Sequence, residues 1–174
     1  MKDALGRRWQ MGTIQLDFQL PLNFDMKYVA QDGTQKRPVM IHRAIFGSLE
    51  RFIGILTENF KGAFPFWLNP VQVGIVPIRV ENNEYAGTVA ARLKAAGIRY
   101  EVDYADKNMN EKIKTYKKYK DPYILVLGAK EAETGTVSLN IRGRKEQVHG
   151  MPLDQFIAMC ERMNRTHTLE LEAE

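Results

Sequence analysis

Asp121-Pro122-Tyr123-Ile124-Leu125-Val126-Leu127-Gly128 is the stretch on which the fold turns. From Tyr123 to Leu127 no polar side chain interrupts the run. A strand with one wet face alternates polar and apolar residues. One that is apolar throughout is buried on both faces, which places it centrally in a parallel sheet covered by helices. Upstream, Val71 to Ile78 is a second short apolar run. Residues 84–96 put Tyr85, Val89, Leu93 and Ala96 on one helical face, and Gly97 stops that helix. Ile98 to Val102 reads as a strand, and Asn110 to Tyr119 as a lysine-rich helix with Ile113 and Tyr116 inward, ended by Asp121-Pro122. Downstream, Thr136 to Ile141 alternates as a strand, and Pro152 opens a last helix whose buried face is Leu153, Phe156, Ile157 and Cys160. The order βαβαββα implies right-handed crossovers and an α/β fold. Its sheet is mixed and mostly parallel with helices on both faces, and the strands joined through Glu133-Thr134-Gly135 supply an antiparallel edge.

The first third has a different rhythm. Gly12 to Leu20 alternates as a half-buried strand, and Met26–Val29 with Pro38–Ile41 flanks the turn dipeptide Asp32-Gly33 as a hairpin. Leu49, Phe52, Ile53, Leu56 and Phe60 then fall at helical spacing, with Ser48 as N-cap. Gly62-Ala63-Phe64-Pro65-Phe66-Trp67-Leu68-Asn69-Pro70 cannot continue that helix, and its aromatics predict a linker that packs down. The expected domains are 1–66 and 67–174. The second is long enough to fold alone. The first holds three strands and one helix with no means of covering both faces of a sheet, and reads as the closing part of a larger antiparallel domain.

Composition excludes several classes. The 174 residues are 44% hydrophobic and 26% charged, as in soluble globular proteins. No apolar run approaches the roughly 20 residues of a membrane span. The first residues lack the apolar core of a signal peptide, so the expectation is a cytoplasmic protein with no membrane partner. A single cysteine, Cys160, excludes an internal disulfide and a cysteine metal cage. The net charge of +4 and the pI near 9.1 are compatible with a nucleic-acid partner without requiring one. Lys112, Lys114, Lys117, Lys118 and Lys120 crowd one segment, Arg142, Arg144 and Lys145 another, and the tail is acidic. Taken alone, a lysine run is a solvated helix face.

Arg37-Pro38-Val39-Met40-Ile41-His42-Arg43-Ala44-Ile45-Phe46-Gly47-Ser48-Leu49-Glu50-Arg51-Phe52 carries the most chemistry. A strand ends at His42, a turn of small residues follows, and the first turn of the next helix presents Arg51, whose planar cation suits a phosphate or a base. Composition alone would make His42 a surface histidine and pair Arg51 with Glu50 or Glu58. The stretch resembles motif 3 of class II aminoacyl-tRNA synthetases, and specifically of the threonyl-tRNA synthetases. In that family the arginine contacts ATP, which falls on Arg51. A histidine ahead of the turn ligates a zinc ion that binds the amino and hydroxyl groups of threonine, which falls on His42. Ligating a hydroxyl lets a site reject an analogue without one. Arg7-Arg8-Trp9-Gln10-Met11-Gly12-Thr13-Ile14-Gln15 is similar to the family strand that lines the adenylate pocket, so the resemblance implies Gln10, Thr13 and Gln15 as adenylate-binding residues. Met11 stands where the family usually has cysteine. The bare alternative is an amphipathic strand with a polar face.

The region from Trp67 to Met163 resembles the class IIa anticodon-binding domain. The junction Phe64 to Val73, Ala96-Gly97-Ile98-Arg99, Pro122-Tyr123 and Gly128-Ala129-Lys130-Glu131 keep the family spacing. Glu131 falls on a base-reading position, where a carboxylate accepts from a base amino group. Ala105-Asp106-Lys107-Asn108 departs from the family's Arg-Asn-Glu-Lys, so Asp106 stands where an asparagine meets the anticodon. Lys114 replaces an arginine, and Asn140 or Arg142 takes the place of another. The lysine-rich helix adds phosphate contacts through charge.

The resemblance implies one part of a threonine–tRNA ligase, with Mg²⁺ accompanying ATP, zinc held by one ligand from this chain, and threonine, ATP and threonine tRNA as partners. The parent would be a homodimer. Prolyl, glycyl and histidyl relatives share the layout but lack the Met-Ile-His-Arg lead. Because the motif 2 region and two further zinc ligands are not in these residues, the chain alone is expected to bind tRNA without catalysing. The alternative is a free-standing anticodon-like module that binds RNA or protein and has no synthetase role.

Overall fold

The computed structural model describes residues 1–173, and the chain divides into two compact units, Met1–Lys61 and a second from Gly62 onward. The first contains β1 (Thr13–Asp17), α1 (Gln19–Asn23), β2 (Tyr28–Val29), β3 (Gln35–Lys36), β4 (Met40–Ala44) and α2 (Leu49–Asn59). The strand expected to run to Leu20 stops at Asp17. Asp17 Oδ1 accepts from the Gln19 and Leu20 amides at 2.8 and 3.0 Å and turns the chain into α1. The hairpin at Asp32-Gly33 forms, but from β2 and β3, with Asp32 Oδ1 accepting from the Thr34 amide at 3.0 Å. The expected return strand instead becomes β4, which pairs antiparallel with β1 from Thr13↔Ala44 to Asp17↔Met40. That pairing carries the strand on to Ala44, beyond the expected end at His42.

Helix α2 begins where the sequence places it. Ser48 Oγ accepts from the Arg51 amide at 3.4 Å. Among the described residues of this unit Ile55 is the only large apolar side chain that is buried, while Ile14, Leu16 and Ile41 stand exposed on one face of the β1–β4 pair. Two separate two-stranded sheets and two helices, where three strands and one helix were expected, do not close a core.

The second unit contains β5 (Val73–Pro77), α3 (Asn83–Ala95), β6 (Tyr100–Val102), α4 (Met109–Tyr119), β7 (Tyr123–Leu127), α5 (Ala129–Thr134), β8 (Thr136–Ile141), β9 (Gln147–Pro152) and α6 (Leu153–Thr166). The strand order is β6-β5-β7-β8-β9. β5 is parallel to both β6 and β7, whereas β8 and β9 add antiparallel. The mixed sheet is therefore as expected, with β7 central.

Two elements exceed the sequence reading. α5 occupies what read as a link, and Gly135, with φ of +66°, ends it in the left-handed conformation. β9 is an edge strand whose Gln147-Val148-His149-Gly150-Met151-Pro152 has too few apolar residues to signal one.

Alternation sorts the core. Val73, Ile75, Tyr123, Leu125, Leu127, Val137 and Leu139 meet α3 and α6 on one face. Val76 and Ile124 meet Tyr116 of α4 on the other. The aromatic linker packs down as expected: Phe66 is fully buried and edges onto Tyr123 at 5.6 Å. For that reason the compact division falls ahead of residue 66. Gln72, also fully buried, donates to Phe66 O at 3.0 Å and Asn164 Oδ1 at 2.7 Å and accepts from the Arg99 amide at 2.9 Å. The Arg99 guanidinium donates to the carbonyls of Trp67, Asn69 and Pro70.

Gly74 on β5 lies under the Tyr116 ring, where an added Cβ would stand 2.7 Å from Cγ and Cδ1. Overpacking of this kind destabilises a core by about 1–3 kcal/mol. Gly74→Ala should lower the urea midpoint of the second unit accordingly, while Gly87→Ala, with open space around it, should not.

Candidate nucleotide and nucleic-acid binding sites

In the first unit the antiparallel register sets Gln15 directly opposite His42, and Thr13 opposite Ala44, on one face of the β1–β4 pair. Asp17 shares that face, and its Oδ2 lies 2.9 Å from His42 Nε2. The Leu20 amide, foremost, and His42 hold the Asp17 carboxyl below its ordinary range. The structure thus gathers Thr13, Gln15 and His42 and adds Asp17, which the sequence reading had placed on the strand without a role. No group of three His, Cys, Asp or Glu side chains able to hold a metal exists among the described residues. His42 with Asp17 does not close a zinc site within this chain.

Arg51 lies over the Trp9 ring, its guanidinium carbon 5.4 Å from the centroid, and Arg7 approaches the same ring at 5.7 Å. Trp9 is held by its indole N–H, which donates to Asp3 Oδ2 at 2.9 Å, and Asp3 also accepts from Arg7 Nε at 2.6 Å and from the amides of Leu5 and Arg7. These donors, the Trp9 indole first, bring the Asp3 carboxyl down to about 2. Gln10 is exposed beside Trp9. The turn at Gly47, with φ of +64°, passes so near that a Cβ there would stand 3.2 Å from Met11 O, which brings α2 and Arg51 against Trp9-Gln10. Trp9 and Arg7 were missed as partners of Arg51 because nothing in the spacing links residues so far apart.

In the second unit the expected anticodon residues fall into two groups. Asp106 follows β6 and Glu131 follows β7, so both sit at the carboxyl-terminal edge of the parallel strands, on either side of β5. Asp106 is exposed and lines a cavity of about 320 Å³ with Arg79, Glu81, Tyr104 and Lys107. Asn108, two residues on, N-caps α4. Glu131 is in the first turn of α5. Its Oε2 accepts from the Gly128 amide at 2.9 Å and its Oε1 from Ser138 Oγ at 2.7 Å. Burial works to raise its carboxyl, but Ser138 and Gly128 outweigh it, so the net shift is downward and Glu131 is anionic at neutral pH.

Asn140 pairs with Ile124, toward the opposite edge, and lines a cleft of about 260 Å³ with Lys117, Lys120, Asp121 and Arg144. Arg142 borders this cleft, but its guanidinium donates to the backbone carbonyls of Lys120 and Phe64, which gives it a structural duty the sequence did not signal. Lys114 is exposed on α4. Lys112 departs from the solvated-face reading of the lysine run. It is 5% exposed, and its Nζ donates to the carbonyls of Asp103 at 3.0 Å and Pro77 at 3.4 Å. Among the described residues no helix is long and apolar enough to cross a membrane.

Two family models match the chain, the tRNA synthetase class II core domain (G, H, P, S and T) over residues 1–60 and the anticodon binding domain over residues 72–163. The threonine–tRNA ligase of Symbiobacterium thermophilum is 52% identical over 159 residues, covering 91% of this chain and 24% of that protein. That of Syntrophomonas wolfei is 57% identical over 146 residues, covering 84% and 23%. The chain thus spans about a quarter of the length of the curated relatives it matches. Among solved structures, the RNA binding domain of threonyl-tRNA synthetase from Cryptosporidium parvum matches with a TM-score of 0.77 at 39% identity, covering 93% of this chain and 41% of that one. Prolyl-tRNA synthetase from the same organism shares the fold with a TM-score of 0.68 at 20% identity, over 93% and 35%.

Burial raises the Asp121 carboxyl beside the basic cleft from the ordinary 3.8 to about 6, with Asn69 opposing through a hydrogen bond. A folded-state value above the unfolded one means that stability from this group is present below about pH 4 and is lost as pH rises to about 6. The stability difference between Asp121→Asn and the parent chain should therefore grow in favour of the variant across that window, by about 2 kcal/mol. Urea midpoints measured at pH 4, 5, 6 and 7 read this difference.

Proposed function

Since the chain belongs to the anticodon binding domain family, preceded by a class II tRNA synthetase core segment as in the threonine–tRNA ligases, we propose that it is the part of such a ligase that recognises the anticodon of threonine tRNA and supplies the last strip of the catalytic site. Residues 1–66 take the catalytic share and residues 67–174 the anticodon share. The parent protein activates threonine with ATP and Mg²⁺ to threonyl-adenylate, then passes the threonyl group to a terminal ribose hydroxyl of the tRNA. It acts as a cytoplasmic homodimer. In that reaction Arg51 neutralises phosphate charge, Gln10, Thr13 and Gln15 line the adenylate pocket, and His42 contributes one zinc ligand, the others coming from outside these residues. Zinc, when bound, supplies a Lewis acid that distinguishes the threonine hydroxyl.

The observation that carries the anticodon reading is the placement of Glu131. An ionised carboxylate is fixed by two hydrogen bonds at the carboxyl edge of parallel strands, where open α/β sheets bind their ligands. Each oxygen keeps acceptor capacity for a base amino group. Asp106 shares that edge, Lys114 on α4 and Asn140 on β8 extend the contact, and Arg142, just beyond β8, borders it while its guanidinium holds the Lys120 and Phe64 carbonyls. The exposed Ile14, Leu16 and Ile41 support the view that the first unit is part of a larger domain. These 174 residues by themselves bind tRNA and do not charge it.

The test is binding of the chain to the anticodon stem-loop of threonine tRNA and to one with a changed anticodon. The expected result is at least a tenfold preference for the former, about 1.4 kcal/mol, with affinity for both falling as salt rises. Equal affinities would reduce the second unit to a phosphate binder, and threonylation by the chain alone would overturn the assignment of catalysis to the parent.

A further inference from the structure

The anchoring of Glu131 continues past Ser138. Ser138 is 2% exposed, and on β8 it faces away from Val137 and Leu139, which belong to the main core. Its Oγ lies 2.7 Å from Glu131 Oε1 and 3.2 Å from Nδ1 of His149 on β9. A hydroxyl carries one proton and a carboxylate only accepts, so Ser138 donates to Glu131 and His149 Nδ1–H must donate to Ser138. The network thereby requires a proton on His149 Nδ1. Its Nε2 has no hydrogen-bond partner among the described residues.

The backbone is bent to make this contact. β8 and β9 pair as Val137↔Met151 and Leu139↔Val148, with an irregularity between them. His149 and Gly150 together thus oppose the single residue Ser138, a β-bulge, and Gly150 has φ of +69°. Bulges kink a strand and re-aim a side chain. Here the side chain in question is the imidazole that meets Ser138.

We propose that Ser138 and His149 form a positioning relay that holds the Glu131 carboxylate for base reading, so that His149 is a specificity-determining residue of the anticodon site. The inference rests on the assignment of Glu131 under the proposed function. The relay passes from an exposed edge strand through a buried hydroxyl to the carboxylate. Without the imidazole, Ser138 is free to rotate and Glu131 Oε1 loses its fixed donor.

Four variants, Glu131→Ala, Ser138→Ala, His149→Ala and His149→Asn, separate the possibilities. Each is titrated against the threonine anticodon stem-loop and a loop with one anticodon base changed, with the thermal midpoint measured alongside. Glu131→Ala should abolish the preference. Ser138→Ala and His149→Ala should cut it by roughly fivefold to tenfold, with affinity for the changed loop and the midpoint near those of the parent. His149→Asn, whose amide N–H replaces the Nδ1 donor, should restore the preference. If Glu131→Ala loses discrimination and His149→Ala keeps it, the relay is wrong and the role of Glu131 stands. If His149→Ala weakens both loops equally and lowers the midpoint, the histidine is merely structural and the relay is again wrong. If Glu131→Ala keeps discrimination, the assignment of Glu131 and the relay fall together.

Discussion

The second unit depends on one buried amide. Gln72 stands at the entrance to β5 with no solvent exposure, and its side chain joins the linker carbonyl of Phe66, Asn164 of α6 and the amide of Arg99 ahead of β6. A buried amide with its donors and acceptor paired is compatible with a core, whereas each partner left unmatched would cost about 1–3 kcal/mol. The arrangement permits one geometry for three chain segments distant in sequence. It fixes where the linker lies, where β6 begins and how α6 closes over the sheet. Arg99 reinforces it by collecting the carbonyls of Trp67, Asn69 and Pro70, so this irregular segment has its backbone acceptors paired.

With β5 anchored, sheet order does the rest. From β5 the chain moves outward to β6 on one side and then returns to β7 on the other. The connections therefore diverge at the carboxyl ends of β5 and β7, which leaves a crevice there. Arg79, Asp106 and Glu131 reach that edge because each follows a parallel strand. The antiparallel strands bring other chemistry to the same face. Ser138 lies near the start of β8, opposite Val126 near the end of β7, and the bulge in β9 delivers His149. Asn140 continues β8 toward the basic cleft. The candidate site is thus set by strand order and alternation before any individual residue is considered.

Much of this was legible in the sequence. The apolar run at Tyr123, the helical spacing of Tyr85, Val89 and Leu93, and the Ser48 cap correspond to β7, α3 and α2 because each depends on local pattern. The misreadings share a cause: a competing local hydrogen bond or a distant partner decided the outcome. Asp17 reads as one more polar residue of an alternating strand, yet its carboxylate caps α1. Residues 38–41 look like the return arm of the Asp32-Gly33 hairpin, yet their partner is β1. β9 was invisible because an edge strand with Gly150 carries little β signal. At the candidate site, the family resemblance singles out Glu131, and Gly128-Ala129-Lys130-Glu131 has the spacing of a capping interaction. Ser138 and His149 were not legible, because their contact exists only through a bulge. Trp9 beneath Arg51 needed the β1–β4 pairing, and the inward turn of Arg142 needed the linker carbonyl of Phe64.

Lys112 has a consequence for surface chemistry. In sequence it is the first of five lysines between residues 112 and 120, nominally equivalent. In the fold its ammonium is enclosed by two carbonyls, where β5 and β6 end against α4, while Lys114, Lys117 and Lys118 face solvent. An amine-directed acylating reagent, or an acetyltransferase, therefore meets a helix with one protected nitrogen among reactive ones. Labelling at Lys112 would report not on surface accessibility but on opening of the crevice edge. The residue is a built-in chemical gauge of whether that end of the sheet is closed.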